Sequence, residues 1–316
     1  MKYLNHDRPR LSRRALLASG AALLTRPLPA KEKLKVAIFS KHLQFLTGDD
    51  LARTAAGLGF DGLDITVRKG GHVEPARVAA DLPPLAAICR RHGLGVPMIT
   101  TDIADAETPF AEDILKTMAA LGIRYYRFGA FKWTNDQSYA AQLDAMKPRL
   151  ARLAALNARY QACAMYHTHS GVGLVGASIW DLYILMKDLD PKAVGVNYDV
   201  GHATIEGGFG GWIASFKIIG PHLRGIAVKD FLWEKDAKGN WREQWKPIGE
   251  GMVRFPRFFS MVAESGFSGP LQLHYEYPLG GANNGDRKLT LPREEVLATM
   301  KKDLLNVRDY LAQAGI

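Results

Sequence analysis

Gln161-Ala162-Cys163-Ala164-Met165-Tyr166-His167 is a short, mostly apolar run, and Val194-Gly195-Val196-Asn197-Tyr198-Asp199 is another. Between them, Ile179–Leu189 carries apolar residues at helical spacing. Strand, amphipathic helix, strand is the repeating unit of a parallel α/β protein. The same unit recurs on both sides of this stretch. Strand-length runs are expected at Val36–Ser40, Gly62–Val67, Val96–Thr101, Tyr125–Ala130, Gly225–Asp230 and Leu271–Tyr277, making eight in all. Helical patterns fill the gaps at Asp49–Gly59, Ala76–His92, Pro109–Leu121, Asp136–Leu156, Gly211–Ile219 and Phe255–Ser265, and Arg293–Gln313 closes the chain. Gly59, Gly93, Gly122 and Gly266 stand where helices should stop. Eight units in roughly 250 residues predict a (β/α)8 TIM barrel. An open dinucleotide-binding sheet would need a glycine-rich turn after the first strand, but Phe39-Ser40-Lys41-His42-Leu43-Gln44-Phe45 stands there.

The chain has 316 residues and formal net charge +9. Its basic excess is concentrated at the front, where Lys2, Arg8, Arg10, Arg13, Arg14 and Arg26 face Asp7 alone. Later residues show no basic run that would mark a nucleic-acid partner. Ser12-Arg13-Arg14-Ala15-Leu16-Leu17 is a twin-arginine pattern, followed by an apolar run to Leu24 and then Pro27, Pro29 and Ala30. Residues 1–30 are therefore expected to be a twin-arginine export signal, with the barrel over 31–316 and a periplasmic destination. The apolar run is too short to span a bilayer, and no later segment qualifies. Cys89 and Cys163 are too few for a disulfide framework and are expected to be buried.

In a TIM barrel the chemistry sits at the C-terminal ends of the strands. Six of the nine histidines fall there: His42, His72, His167, His169, His202 and His274. His167 and His169 lie two apart and face the same way on a strand. Asp199 and Glu276 end apolar strands, where a carboxylate needs a partner or a metal. Imidazole and carboxylate together suit Mn, Co, Zn or Fe. A bound metal polarises a carbonyl, and a nearby carboxylate or histidine then moves the proton. Arg127, Lys132, Trp133, Phe231, Trp233 and Trp245 are candidates for holding a sugar. Lys229-Asp230 is a candidate site pair or a structural ion pair.

Taken together, Phe39-Ser-Lys-His-Leu-Gln, Tyr166-His-Thr-His, Asn197-Tyr-Asp-Val-Gly-His, Val228-Lys-Asp, Gly249-Glu-Gly and Tyr275-Glu-Tyr resemble the sugar phosphate isomerase/epimerase family. This is the xylose isomerase-like TIM-barrel superfamily, and the resemblance spans about residues 34–280. It implies a divalent ion, Mn foremost, and a sugar or keto-polyol substrate, with a homodimer as a family prior. The family's metal ligands match His167, Asp199 and Glu276. Its catalytic groups match Glu276, His167 and His202. Substrate contacts are expected from His42, His72, Arg127, His169, His202 and Lys229. Two positions depart from the family pattern. His167 stands where epimerases have Glu, in a His-x-His arrangement similar to inosose dehydratase, and Ala227 replaces the ligand His of strand seven. The implied activity is isomerisation, epimerisation or elimination by an exported enzyme. The competing reading is a metal-free sugar-binding protein that has lost catalysis through Ala227. An endonuclease-IV-like nuclease is disfavoured by the absence of a basic face.

Overall fold

The computed structural model describes residues 33–316, and its compact unit begins at Leu34. The expected export signal lies outside the described residues. Eight parallel strands close into a barrel: β1 (Val36–Phe39), β2 (Gly62–Val67), β3 (Gly95–Thr101), β4 (Tyr125–Phe128), β5 (Cys163–His167), β6 (Val194–Asp199), β7 (Leu223–Val228) and β10 (Leu271–Leu273). The order around the barrel is β1-β10-β7-β6-β5-β4-β3-β2, so each strand pairs with its neighbour in the sequence and the last returns to the first. Helices α1 (Gly48–Leu58), α2 (Val78–Arg91), α3 (Ala111–Leu121), α4 (Tyr139–Arg159) and α5 (Trp180–Met186) occupy the gaps between the first six strands. Next come α6 (Val200–Gly207), α7 (Gly211–Ile219), α8 (Phe255–Ser265) and the closing α9 (Arg293–Gln313). Among the described residues, no helix is long and apolar enough to cross a membrane.

Two elements depart from the sequence reading. A helix, α6, starts directly at the end of β6, and an antiparallel hairpin follows β7. The hairpin consists of β8 (Asp230–Lys235) and β9 (Trp241–Lys246), paired from Asp230 with Lys246 out to Lys235 with Trp241. The expected seventh strand is correspondingly shifted, ending at Val228 rather than Asp230, and the eighth stops at Leu273 rather than Tyr277.

Alternation along the strands decides what fills the barrel. On β5 the inward residues are Cys163, Met165 and His167. Met98, Cys163 and Met165 form a small apolar cluster of their own, separate from the large core between sheet and helices. The barrel is thus plugged with sulfur-containing side chains below and carries imidazole above. Small residues make room for that plug. A Cβ on Gly225 would lie 2.8 Å from Met165 Sδ and 2.8 Å from Asn197 Oδ1. Both cysteines are buried and free, as their surroundings predict.

Candidate active site

The Asp199-x-x-His202 step has a local cause. Asp199 is the N-cap of α6, and its Oδ1 accepts the His202 backbone N–H at 3.0 Å. That bond satisfies a helix N-terminal donor. It also leaves Oδ2 aimed into the barrel and places the His202 ring at the mouth. Thr168 Oγ1 accepts the Asp199 N–H at 2.9 Å, which ties the ends of β5 and β6 together. Gly201 belongs to the same design, since a Cβ there would meet Lys229 Cγ at 2.8 Å.

Lys229 follows β7 directly, two residues beyond Ala227 and on the same inward face. Ala227 pairs with Asp199 on one side and Gln272 on the other and contributes no ligand. Above it, the buried Lys229 ammonium occupies the middle of the site. Its Nζ lies 3.2 Å from Asp199 Oδ2 and 3.8 Å from Glu276 Oε1. It donates to His202 Nε2 at 2.9 Å and sits 4.7 Å from the centre of the Trp245 ring. His202 Nδ1 faces Ser170 Oγ at 2.7 Å. With Nε2 accepting, the His202 proton is on Nδ1 and goes to Ser170.

The other histidines are equally constrained. His169 Nδ1 donates to the His167 carbonyl at 3.1 Å, so its Nε2 accepts from the Arg127 guanidinium at 3.3 Å. His167 lies 3.5 Å from Asp199 through Nε2, while its Nδ1 meets the Asn197 amide nitrogen at 3.1 Å. His274 is stacked between Phe39 and His167, with centroids at 4.8 and 5.1 Å. Burial drives the pKa values of His167, His202 and His274 well below the ordinary value, and the neighbouring cations add to this. His169 falls to about 3 for the same reasons. All four are neutral imidazoles at neutral pH, the form that ligates metals.

Glu276 stands at the rim, its Oε2 3.6 Å from Lys41 Nζ. Burial raises its pKa, but Lys229 and then Lys41 outweigh burial and hold it below the ordinary carboxylate value. Asp199 is raised by burial, and Lys229 opposes the rise.

These side chains surround a cavity of about 310 Å³, lined also by Arg68, Phe39 and Trp245. Two sets of ligand atoms lie close enough together for one metal ion: His167, His169 and His202, or His167, Asp199 and His274, each within 4.8 Å. In the second set His167 Nε2 and His274 Nε2 are buried without a hydrogen-bond partner, and Asp199 Oδ2 has the Lys229 ammonium at 3.2 Å beside it. Two unpartnered buried ring nitrogens and a carboxylate oxygen facing one point fit a borderline divalent ion, with Lys229 as the neighbouring cation on that oxygen. The expected trio of His167, Asp199 and Glu276 is thus half assembled. The first two meet, His274 supplies the third atom, and Glu276 turns to the two lysines. Asn197 Oδ1 is also unpartnered. Turned over, that amide would accept Nδ1–H from His167 and leave the Nε2 lone pair for a metal.

His167, His169, His202, Arg127, Lys229 and Glu276 therefore converge as expected, whereas His42 and His72 do not line the cavity. His42 Nδ1 donates to the Ala282 carbonyl at 3.1 Å and its Nε2 accepts the Tyr275 N–H at 3.1 Å. Burial lowers its pKa to about 3. His72 is engaged by Thr66 Oγ1 at 3.1 Å and the Leu46 carbonyl at 3.2 Å. Both rings tie loops to the barrel, with no nitrogen left for a substrate. Trp133 stacks on Tyr139 at 4.2 Å instead of lining the cavity. Asp230 makes no ion pair with Lys229. Its carboxylate accepts the backbone N–H groups of Phe231, Gly249, Gly251 and Val253 at 2.9–3.1 Å and pins the root of the hairpin. Arg68 was missed by the sequence reading. Its position one residue past β2 was the available signal.

Barrel, mouth and histidine–carboxylate cluster define a TIM-barrel protein with a metal-capable polar centre. The chain belongs to the xylose isomerase-like TIM barrel family, whose model matches residues 52–299. It is similar in fold to a D-psicose 3-epimerase of Clostridium cellulolyticum H10, determined with D-tagatose. That match has a TM-score of 0.64 at 14% identity and covers 88% of this chain and 99% of the other. A probable 3-DHS dehydratase of Bacillus anthracis matches with a TM-score of 0.62 at 16% identity, covering 85% and 98%. In sequence, an uncharacterised protein of Methanocaldococcus jannaschii is 24% identical over 101 residues, and the match spans 32% of either chain.

Proposed function

We propose that the chain is an exported, divalent-metal-assisted enzyme that removes a proton next to the carbonyl of a sugar or keto-polyol, leading to isomerisation, epimerisation or elimination. The observation that carries this reading is Glu276. It is an ionised carboxylate at the edge of a cavity, held between two ammonium groups. A carboxylate so placed accepts a proton from a carbon acid, and the adjacent cations stabilise the enolate oxygen that forms. Lys229, 3.8 Å from Glu276, is positioned for that second task. His202 accepts from Lys229 and passes its own proton toward Ser170, which makes it a route for returning a proton. A divalent ion would be held by His167, Asp199 and His274 and would polarise the carbonyl as a Lewis acid.

The test is solvent exchange. Keto-sugars and keto-polyols are incubated with the protein in D2O, and deuterium at the carbon beside the carbonyl is read by NMR. Wild type is expected to exchange, and Glu276→Gln to lose about 10²–10⁴-fold. Binding without exchange across the panel would overturn the reading in favour of a metal-free sugar-binding protein. Ala227 and the central ammonium of Lys229 are the observations that favour that second reading. Export rests on residues 12–30 and is tested by fusing residues 1–30 to a reporter that is active only in the periplasm, with Arg13→Lys/Arg14→Lys as the control.

A further inference from the structure

Four cationic side chains line the cavity: Lys41, Arg68, Arg127 and Lys229. Two of them are accounted for. Lys229 pairs with Asp199 and Glu276, and Lys41 with Glu276. Arg68 and Arg127 have no carboxylate within ion-pair distance among the described residues. Their guanidinium carbons instead lie 5.5 and 5.8 Å from the centre of the Phe39 ring. Arg127 uses one of its five donors on the neutral His169. The acid that bears most on Arg127 is Asp64, whose two oxygens both accept from Thr100 Oγ1, at 3.0 and 2.8 Å. Burial pushes Asp64 up to about 7, so at neutral pH it supplies only part of a charge.

A partly buried guanidinium without a counter-charge is costly, and two in one cavity more so. The planar fork of arginine matches a carboxylate with two parallel bonds. We infer that Arg68 and Arg127 form a carboxylate subsite over Phe39, and that the substrate is a sugar acid, a uronate or keto-uronate. This rests on the reading of the cavity as a sugar site. The sugar's carboxylate lies between the two guanidiniums, and its ring extends toward Glu276 and Lys229.

Isothermal titration of the intact protein with D-glucuronate, D-fructuronate, D-glucose and D-glucose 6-phosphate tests the assignment. The two uronates are expected to bind at least tenfold more tightly than glucose. Arg68→Gln is expected to remove that preference while glucose binding stays within about twofold, and Arg127→Gln to remove the preference as well. Both are half-buried, and Arg68 lies one residue past the end of β2 whereas Arg127 lies within β4, so the Arg68 variant serves if Arg127→Gln does not fold. Equal binding of uronate and glucose, tighter binding of the phosphate ester, or a preference that survives both substitutions would overturn the subsite. Deuterium exchange into neutral keto-sugars, occurring alongside any of these results, would leave the enzyme reading standing and remove only this one.

Discussion

Lys229→Met is the most informative single change. The methionine keeps a long apolar stem against Gly201 and Trp245 but removes the ammonium. In the wild type that ammonium sits 3.2 Å from Asp199 Oδ2, a carboxylate with no exposure to solvent. Removing one partner of a buried ion pair costs about 3–5 kcal/mol, because the other charge is left behind. The loss should therefore be of that order, measured by urea denaturation at neutral pH in the presence of chelator. The sign of the pH dependence follows from Asp199. Its pKa is already raised by burial and opposed by Lys229, so without the lysine it rises further. A carboxyl with a raised folded-state pKa penalises the fold above that pKa and ceases to do so once protonated. The deficit of the variant should shrink on acidification. A divalent ion should also restore stability, by about 2.7 kcal/mol at a hundred times its dissociation constant, since it takes over the vacated counter-charge role. Equal stability of wild type and variant in chelator, or a deficit that is constant from mildly alkaline to mildly acidic pH, would refute the reasoning.

Three further outcomes are expected. Asp64, at about 7 against an ordinary 3.8, keeps its proton in the fold where the unfolded chain has lost it, so its contribution to stability disappears as pH rises through about 7. Asp64→Asn should flatten that dependence, by up to roughly 4 kcal/mol at about 1.36 kcal/mol per unit, in denaturation curves recorded across pH. Asn197→Ala should weaken divalent-ion affinity about 10–100-fold by titration calorimetry, since the amide orients His167; unchanged affinity would place the ion elsewhere. His42→Ala should cost about 1–3 kcal/mol for each of the two buried backbone groups it strands, Tyr275 N–H and Ala282 C=O, with sugar binding retained in the folded fraction.

The histidine pair on β5 and the Asp-x-x-His step were legible because both are local. One follows from strand alternation and the other from a helix cap three residues long. The barrel was legible because its rhythm of strand and helix repeats along the whole chain. The hairpin was not, because Phe231, Leu232 and Trp233 follow one another without the alternation of apolar and polar residues that marks a strand. After a seventh barrel strand the rhythm calls for a helix, and a two-stranded ribbon is a departure that the pattern does not encode. The third member of the metal-capable group was hidden for a different reason. β10 is only three residues long, so His274 and Glu276 lie beyond its ladder, and only packing against Phe39 and His167 decides which of them joins Asp199. His42 and His72 show the converse. A histidine after a strand looks functional in sequence, but loops also need side chains that bond to backbone on both sides.

The four backbone N–H groups gathered by Asp230 bear on how much change the hairpin should tolerate. They fasten the base of the hairpin from inside, on β7's exit and on the stretch from Gly249 to Val253. A Cβ on Gly251 would fall on the Asp230 carboxylate, so that residue is locked to glycine as well. Beyond Trp245 and Phe231 the ion pairs of the hairpin are its own, Lys246 with Glu234 and Arg242 with Asp236. Substitution or lengthening of the tip from Glu234 to Arg242 should leave the Trp245 indole in place against His202 and Lys229. The hairpin is thus a ribbon on a fixed mount, its root held by buried hydrogen bonds and its tip by its own ion pairs.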